Sequence, residues 1–193
     1  MNKYLYIIAA LLLFACKGKE KKAEKAADLS AVQQTTTHSE AFNTSFEKVL
    51  NGYYKLRDAL VADDTAAANH AASLLMQSAN DLKLDELKSI DTSNIIIPTA
   101  QTYTGGINSE CEGLLGETDI QDKRRSFQMI SAGLFDLVRT IRYDKEKVYL
   151  LHCPMAFNDA GADWLSSSTE IKNPYFGSKM LTCGSVIDSV VLR

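Results

Sequence analysis

Apolar residues recur every three or four positions along most of this chain, and the stripes they form predict four helices. Phe42, Phe46, Val49, Tyr53, Leu56 and Leu60 make the first stripe, with Thr37-x-x-Glu40 at capping-box spacing ahead of it. Asp63-Asp64 interrupts the pattern and caps a second helix, in which Ala67, Ala71, Leu74, Ala79 and Leu82 share a face. Those alanines allow close approach to a neighbouring helix. A third stripe runs through Ile97, Ala100, Thr104, Ile107, Cys111 and Leu114, with Pro98 acceptable in its first turn. Gly105-Gly106 inside it costs about 2 kcal/mol of helix propensity, enough to allow a kink or a break. Gly116 ends it. Thr118-x-x-Gln121 then opens a fourth helix lined by Ile120, Phe127, Ile130, Leu134, Leu137 and Ile141.

After Arg142 the periodicity is lost. Residues 148–151 read as a strand, and turn formers and sulfur-bearing residues accumulate from His152 onward. The expected fold is mainly α: an antiparallel four-helix bundle over 39–142, then a short irregular tail over 147–193 with a small strand element. The two make a single domain, 39–193. No internal repeat is visible.

The first residues set the compartment. Lys3 precedes an almost unbroken apolar run over 5–14, which Ala15-Cys16 closes. Charge, a short apolar run and a small residue at the cut are the order of a signal peptide, and the run is about half the length that spans a bilayer. With the cysteine at the cleavage point, the segment resembles a bacterial lipobox. The expectation is a signal peptide over 1–15 and lipidation of Cys16, with Lys17 in place of the aspartate that retains some lipoproteins at the inner membrane. An outer-membrane anchor facing the periplasm follows. Residues 16–38 combine Lys-Gly-Lys-Glu-Lys-Lys with Gln-Gln-Thr-Thr-Thr and no apolar period, so they read as the lipidated residue and a flexible, solvated tether.

Composition narrows the function classes. The formal net charge is −3, and no basic field points to nucleic acid. Hydrophobic residues make up 46 % of the chain, too many for one that cannot build a core. Of four cysteines, lipidation of Cys16 leaves Cys111, Cys153 and Cys183. An odd number in an oxidising compartment implies a free thiol or a metal site.

The chemistry concentrates in the tail. Cys153-Pro154-Met155 lies near its start and Met180-Leu181-Thr182-Cys183 near its end. In an extended segment, residues two apart point the same way, which pairs Cys153 with Met155. In a turn, residues three apart do so, which pairs Met180 with Cys183. Thiolate and thioether together form a soft donor set that favours Cu(I) or Ag(I), and the methionines count against zinc. His152 is a further ligand candidate, although neighbours in a strand face opposite sides. From spacing alone, a Cys153–Cys183 disulfide stands level with the metal site and would contribute on the order of 3.5 kcal/mol by closing that loop.

Several segments carry a resemblance: Tyr54-Lys55-Leu56-Arg57-Asp58-Ala59-Leu60-Val61-Ala62-Asp63-Asp64, Arg125-Ser126-Phe127, Cys153-Pro154-Met155-Ala156-Phe157-Asn158, Gly161-Ala162-Asp163-Trp164-Leu165-Ser166 and 171–184. Over about residues 42–188 the chain resembles a Bacteroidetes domain family of unknown function. That domain occurs alone in small exported lipoproteins and appended to Cus-type copper/silver efflux adaptors. The resemblance implies copper or silver handling in the periplasm, with an efflux component as partner, and no particular ligand set. The tail is also similar to the Tyr-x-Cys-Pro-Met motif of short heavy-metal-binding modules, with Ala156 where that motif has histidine.

Other residues offer less. Cys111 sits in an apolar stripe, where a buried inert thiol is expected. His70 has no evident partner, and His38 falls in the tether. Asn173-Pro174-Tyr175-Phe176-Gly177 reads as a turn with Trp164 as its packing anchor. There is no Cys-x-x-Cys pair, phosphate loop or His-Glu-x-x-His helix. The expectation is a binding protein, not an enzyme: a soft-metal chaperone or sink, or alternatively an adaptor lipoprotein with a disulfide-stapled tail and a protein-binding helical face.

Overall fold

The computed structural model describes residues 37–190. The expected signal peptide, Cys16 and the tether up to residue 36 lie outside the described residues. Four long helices come first: α1 (Glu40–Val61), α2 (Thr65–Asn80), α3 (Ile96–Gly116) and α4 (Ile120–Thr140). Three antiparallel strands follow, β1 (Val148–Cys153), β2 (Ala162–Ser166) and β3 (Ser185–Val190), in the order β2-β1-β3. The chain is mainly helical with a small sheet near its end.

Each helix packs on the next in sequence. Burying side chains such as Phe42, Phe46, Leu56, Leu60, Leu134 and Leu137, none of which reaches solvent, contributes roughly 1.5–3 kcal/mol apiece. Contact between α1 and α2 is close because Gly52 has no side chain to hold the Leu75 backbone off. A Cβ on Gly52 would lie 2.9 Å from the Cα of Leu75. Of the expected stripe on α2, Ala71, Ala79 and Leu82 are buried, but Ala67 is exposed and Leu74 only half-buried; Ala68, Ala72 and Leu75 take their places in the core. Runs of adjacent alanines leave too little contrast to fix the face.

Helix starts also differ in detail. Ser39, not Thr37, caps α1 by accepting from the Phe42 amide at 3.1 Å, and Asp119, not Thr118, caps α4. In α2 the expected Asp64 does cap, accepting from Ala67 N at 2.8 Å. Ile95, before α3, has no side chain to cap with; Asp91 supplies one from the preceding turn, taking the amides of Ile95, Ile96 and Ile97 at 2.8–2.9 Å. Gly105-Gly106 neither kinks nor breaks α3. Both lie on its exposed face, where nothing crowds them.

His38, expected in the tether, is buried: its ring bonds the Ile141 carbonyl at 2.7 Å and Asp144 at 3.2 Å, while Thr37 also donates to Asp144. Its partners lie more than a hundred positions away, beyond the reach of any local pattern.

The sheet docks through β2 on α4. Tyr53 of α1 is the pin. Ser131 Oγ donates to the Phe127 carbonyl, so the Tyr53 hydroxyl donates to Ser131 at 2.7 Å and accepts from the Leu165 amide at 2.9 Å. Its ring stacks on Phe127 at 5.1 Å. One side chain thereby joins α1, α4 and β2. The expected strand element is larger than predicted, since β3 is also present. Leu150 pairs with Asp188 and Leu151 with Val186, which leaves Ile187 as a bulge residue and breaks the alternation a strand needs to be recognised.

Candidate functional site

Strand β1 delivers Cys153 to its end, fully buried, and the turn leading into β3 delivers Cys183. The register that pairs His152 with Ser185 places Cys153 beside the residues just ahead of β3. The sulfurs are 3.3 Å apart, and both cysteines are free thiols. Cys183 is only half-buried, so the pair has a buried member and a reachable one. The Cys153 sulfur, hydrogen-bonded to it, pushes the Cys183 thiol above its ordinary value, with burial adding to the effect.

Three supports hold the Cys183 side. Its amide donates to the Met180 carbonyl at 3.1 Å, closing the turn expected between these residues. Asn173, completely buried, donates through Nδ2 to the Cys183 carbonyl and through its amide to the Leu181 carbonyl, both at 2.8 Å. Its Oδ1 accepts from Tyr175 and Phe176, as an Asn opening a turn does. Gly184 comes next, at φ +142°. A Cβ there would meet Trp164 Cη2 at 2.7 Å and the His152 carbonyl at 2.8 Å. Trp164, buried as expected, is edge-on to Tyr175, whose hydroxyl donates to the Asp163 carbonyl.

His152 points elsewhere. Its Nδ1 and Asp163 Oδ1 are 2.6 Å apart across the β1–β2 register, beside a groove of about 330 Å³ between the sheet and α4. Among the described residues, no group of three His, Cys, Asp or Glu side chains could hold a metal ion. Met155 is 45 % exposed in the turn after Cys153-Pro154, and Met180 is half-buried. The structure therefore brings the two cysteines together, places both methionines in the flanking turns, and commits His152 to Asp163. Cys111 is fully buried in α3, and burial, with Glu110 adding, pushes its thiol up to about 12. Such a thiol is inert. His70 is exposed.

A strained turn follows Met155. Phe157, Asn158 and Asp159 are consecutive non-glycine residues at φ +54°, +59° and +66°. For Phe157 this left-handed conformation costs on the order of 1–2 kcal/mol, and for Asn158 and Asp159, which tolerate it better, less. The Phe157 ring meets Tyr175 at 5.4 Å and lies under the Arg125 guanidinium, and the Gly161 amide closes on the Ala156 carbonyl. Sequence reading missed this turn and missed Asn173 as the support of Cys183, because both depend on partners in other segments.

No curated protein and no solved structure gives a significant match. Residues 49–146 match a family described as "Protein of unknown function (DUF3347)". The matched span runs from within α1 to the loop before β1, so it takes in the helices and stops short of both Cys153 and Cys183. The chain belongs to the DUF3347 family of proteins of unknown function.

Proposed function

We propose that this protein is a periplasm-facing lipoprotein, anchored through Cys16, that binds Cu(I) or Ag(I) at Cys153 and Cys183 as a chaperone or sink linked to heavy-metal efflux. The observation that carries this reading is the 3.3 Å approach of two free thiols, one of them reachable from solvent. Two thiolates offer a charged, soft donor pair, which suits a monovalent d10 ion better than a hard cation. Met155 and Met180 would complete the cluster as neutral thioethers from the flanking turns. The helices, taken as an antiparallel four-helix bundle, would serve as a rigid base that holds the tail through Tyr53, bonded to the Leu165 amide, and through Arg124 of α4, whose Nε donates to the Pro174 carbonyl at 2.7 Å. An efflux component is the partner that would receive or supply the ion. His152, already bonded to Asp163, is left out of this ligand set.

The same closeness suits a Cys153–Cys183 disulfide, and the lack of a third charged or imidazole donor among the described residues favours that second reading of a stapled adaptor. Titrating the reduced protein with Cu(I) against a competing chromogenic chelator separates the two. The metal reading expects a single tightly held ion that is lost when both cysteines become Ser. A reduced protein that leaves all Cu(I) on the chelator, with cysteine variants that merely melt earlier, would establish the staple instead.

A further inference from the structure

We infer that Cys153 and Cys183 form a reversible two-electron gate, exchanging with small disulfides through Cys183 and excluding metal when closed. This concerns regulation of the site proposed above and rests on that reading for its metal half only.

The geometry is asymmetric in a useful way. Cys153 is fully buried at the end of β1, where it pairs with Ala162 of β2. Cys183 is half-buried on a surface turn whose own neighbours, Leu181 and Thr182, are exposed. An incoming disulfide therefore reaches Cys183 and not Cys153. The Cys183 thiol, raised by its bond to Cys153, reacts slowly through the fraction that has lost its proton. That thiolate attacks one sulfur of the disulfide, forming a mixed disulfide and releasing one small thiolate, which takes up a proton. Cys153 then stands 3.3 Å from the Cys183 sulfur. It attacks, the second small thiolate leaves, and the proton from Cys153 ends on it. The balance is two protein thiols plus one small disulfide giving one protein disulfide plus two small thiols. The protein loses two electrons and the small disulfide gains them.

Closure demands little motion. The sulfurs need to approach by roughly 1.3 Å to reach bonding distance. The turn between Met180 and Cys183 can give that much through side-chain rotation, while Asn173 keeps its backbone in place. Once closed, neither sulfur is a thiolate, so a soft ion loses both charged donors at once. The third thiol, Cys111, is sealed in α3 and does not compete.

The test incubates the full-length protein with oxidised glutathione, then reads intact mass, mapped peptides and Cu(I) retention. Wild type is expected to lose two hydrogen atoms without keeping glutathione, to join the Cys153 and Cys183 peptides, and to release Cu(I) until a reductant restores it. Cys153→Ser is expected to keep one glutathionyl group on Cys183, and Cys183→Ser to stay unmodified. Wild type that keeps both thiols free at high oxidised glutathione overturns the gate. So does Cys183→Ser whose Cys153 takes glutathione as readily as Cys183 does in the other variant. These outcomes are read from mass alone, so a variant that binds no metal does not obscure them. If exchange occurs as described but the reduced protein takes no Cu(I), the redox pair stands and the metal reading fails.

Discussion

Arg124 of α4 donates through Nη2 to Asp63 Oδ1 at 2.6 Å, while its Nε donates to the Pro174 carbonyl at 2.7 Å. The same Nη2 reaches the Leu60 carbonyl at 3.1 Å. Asp63, in turn, accepts from the amide and hydroxyl of Ser178. A guanidinium that is only 2 % exposed thus ties the end of α1, the start of α4 and the loop that holds Asn173. Arg124→Ala leaves the Pro174 carbonyl without its donor and takes the guanidinium away from the Leu60 carbonyl and Asp63, which keep the Asp63 amide and Ser178 as donors. The expected loss is about 2–4 kcal/mol of unfolding free energy, measured by denaturant titration. Asp63→Asn should cost less, because Asp63 is partly exposed and the Arg124 bonds to carbonyls survive. Equal effects from the two changes would refute this division of labour.

Acid should unfold the protein through a few carboxylates. Burial alone would raise Asp63, Asp91 and Asp144, but hydrogen bonds from Arg124 and Ser178, from the α3 amides, and from Thr37 and His38 outweigh it and hold all three below the ordinary value near 3.8. A carboxylate with a depressed value in the folded state gives stability that is complete above its unfolded value and is lost as pH falls through the folded one. Melting temperature should therefore drop steeply only below about pH 4. Glu146 acts in the opposite sense: burial and Glu47 raise it, so the folded state gains slightly as it protonates. Asp91→Asn should flatten the acid limb; an unchanged slope would show that Asp91 is not one of the groups responsible.

Much of the helical layer is legible in the amino-acid pattern, because its information is local. Phe42 through Leu60 and Phe127 through Ile141 repeat with a helix's own period, and their neighbours on the other face are polar. What is not legible depends on distance. Nothing near Arg124 in the sequence marks it out, since its partners lie 50–64 positions away. His38 reads as tether for the same reason. The bulge at Ile187 hides β3. In the candidate site, sequence supplies the residue types and the turn from Met180 to Cys183. Strand β1 ends at Cys153, so Met155 lies in a turn and not in the extended segment expected to pair it with Cys153. The closeness of Cys153 to Cys183 and the commitment of His152 to Asp163 are tertiary facts.

Anchoring has a direct test. If Cys16 is the lipidated residue, Cys16→Ser should move the protein from the membrane fraction to the soluble one, or leave it uncut. A variant that still sediments with membranes and is still cleaved after Ala15 rules the lipoprotein reading out.

Gly184→Ala probes the site without touching a sulfur. The added methyl would press on Trp164 and on the His152 carbonyl, and φ +142° is strained for any side chain. The turn carrying Cys183 must shift, so stability should fall by about 1–3 kcal/mol and Cu(I) should be held more weakly with both thiols intact. Full Cu(I) retention in a destabilised Gly184→Ala protein would mean that the site does not depend on the 3.3 Å geometry.

The thioethers decide how far the metal reading extends. Met155 and Met180 lie in the turns that flank the thiol pair, and Met155 keeps nearly half its surface in water. A core methionine would not sit there; a ligand, or a surface that meets a partner, would. Replacing both with Leu conserves volume and apolar character and removes only the soft lone pairs, so the cost in stability should stay below about 1.5 kcal/mol. Cu(I) affinity should nonetheless fall, while the thiol count and the glutathione exchange stay as in wild type. If Cu(I) is held as tightly by the double Leu protein, the cluster reduces to its two cysteines, and the methionines belong to the surface rather than to the ion.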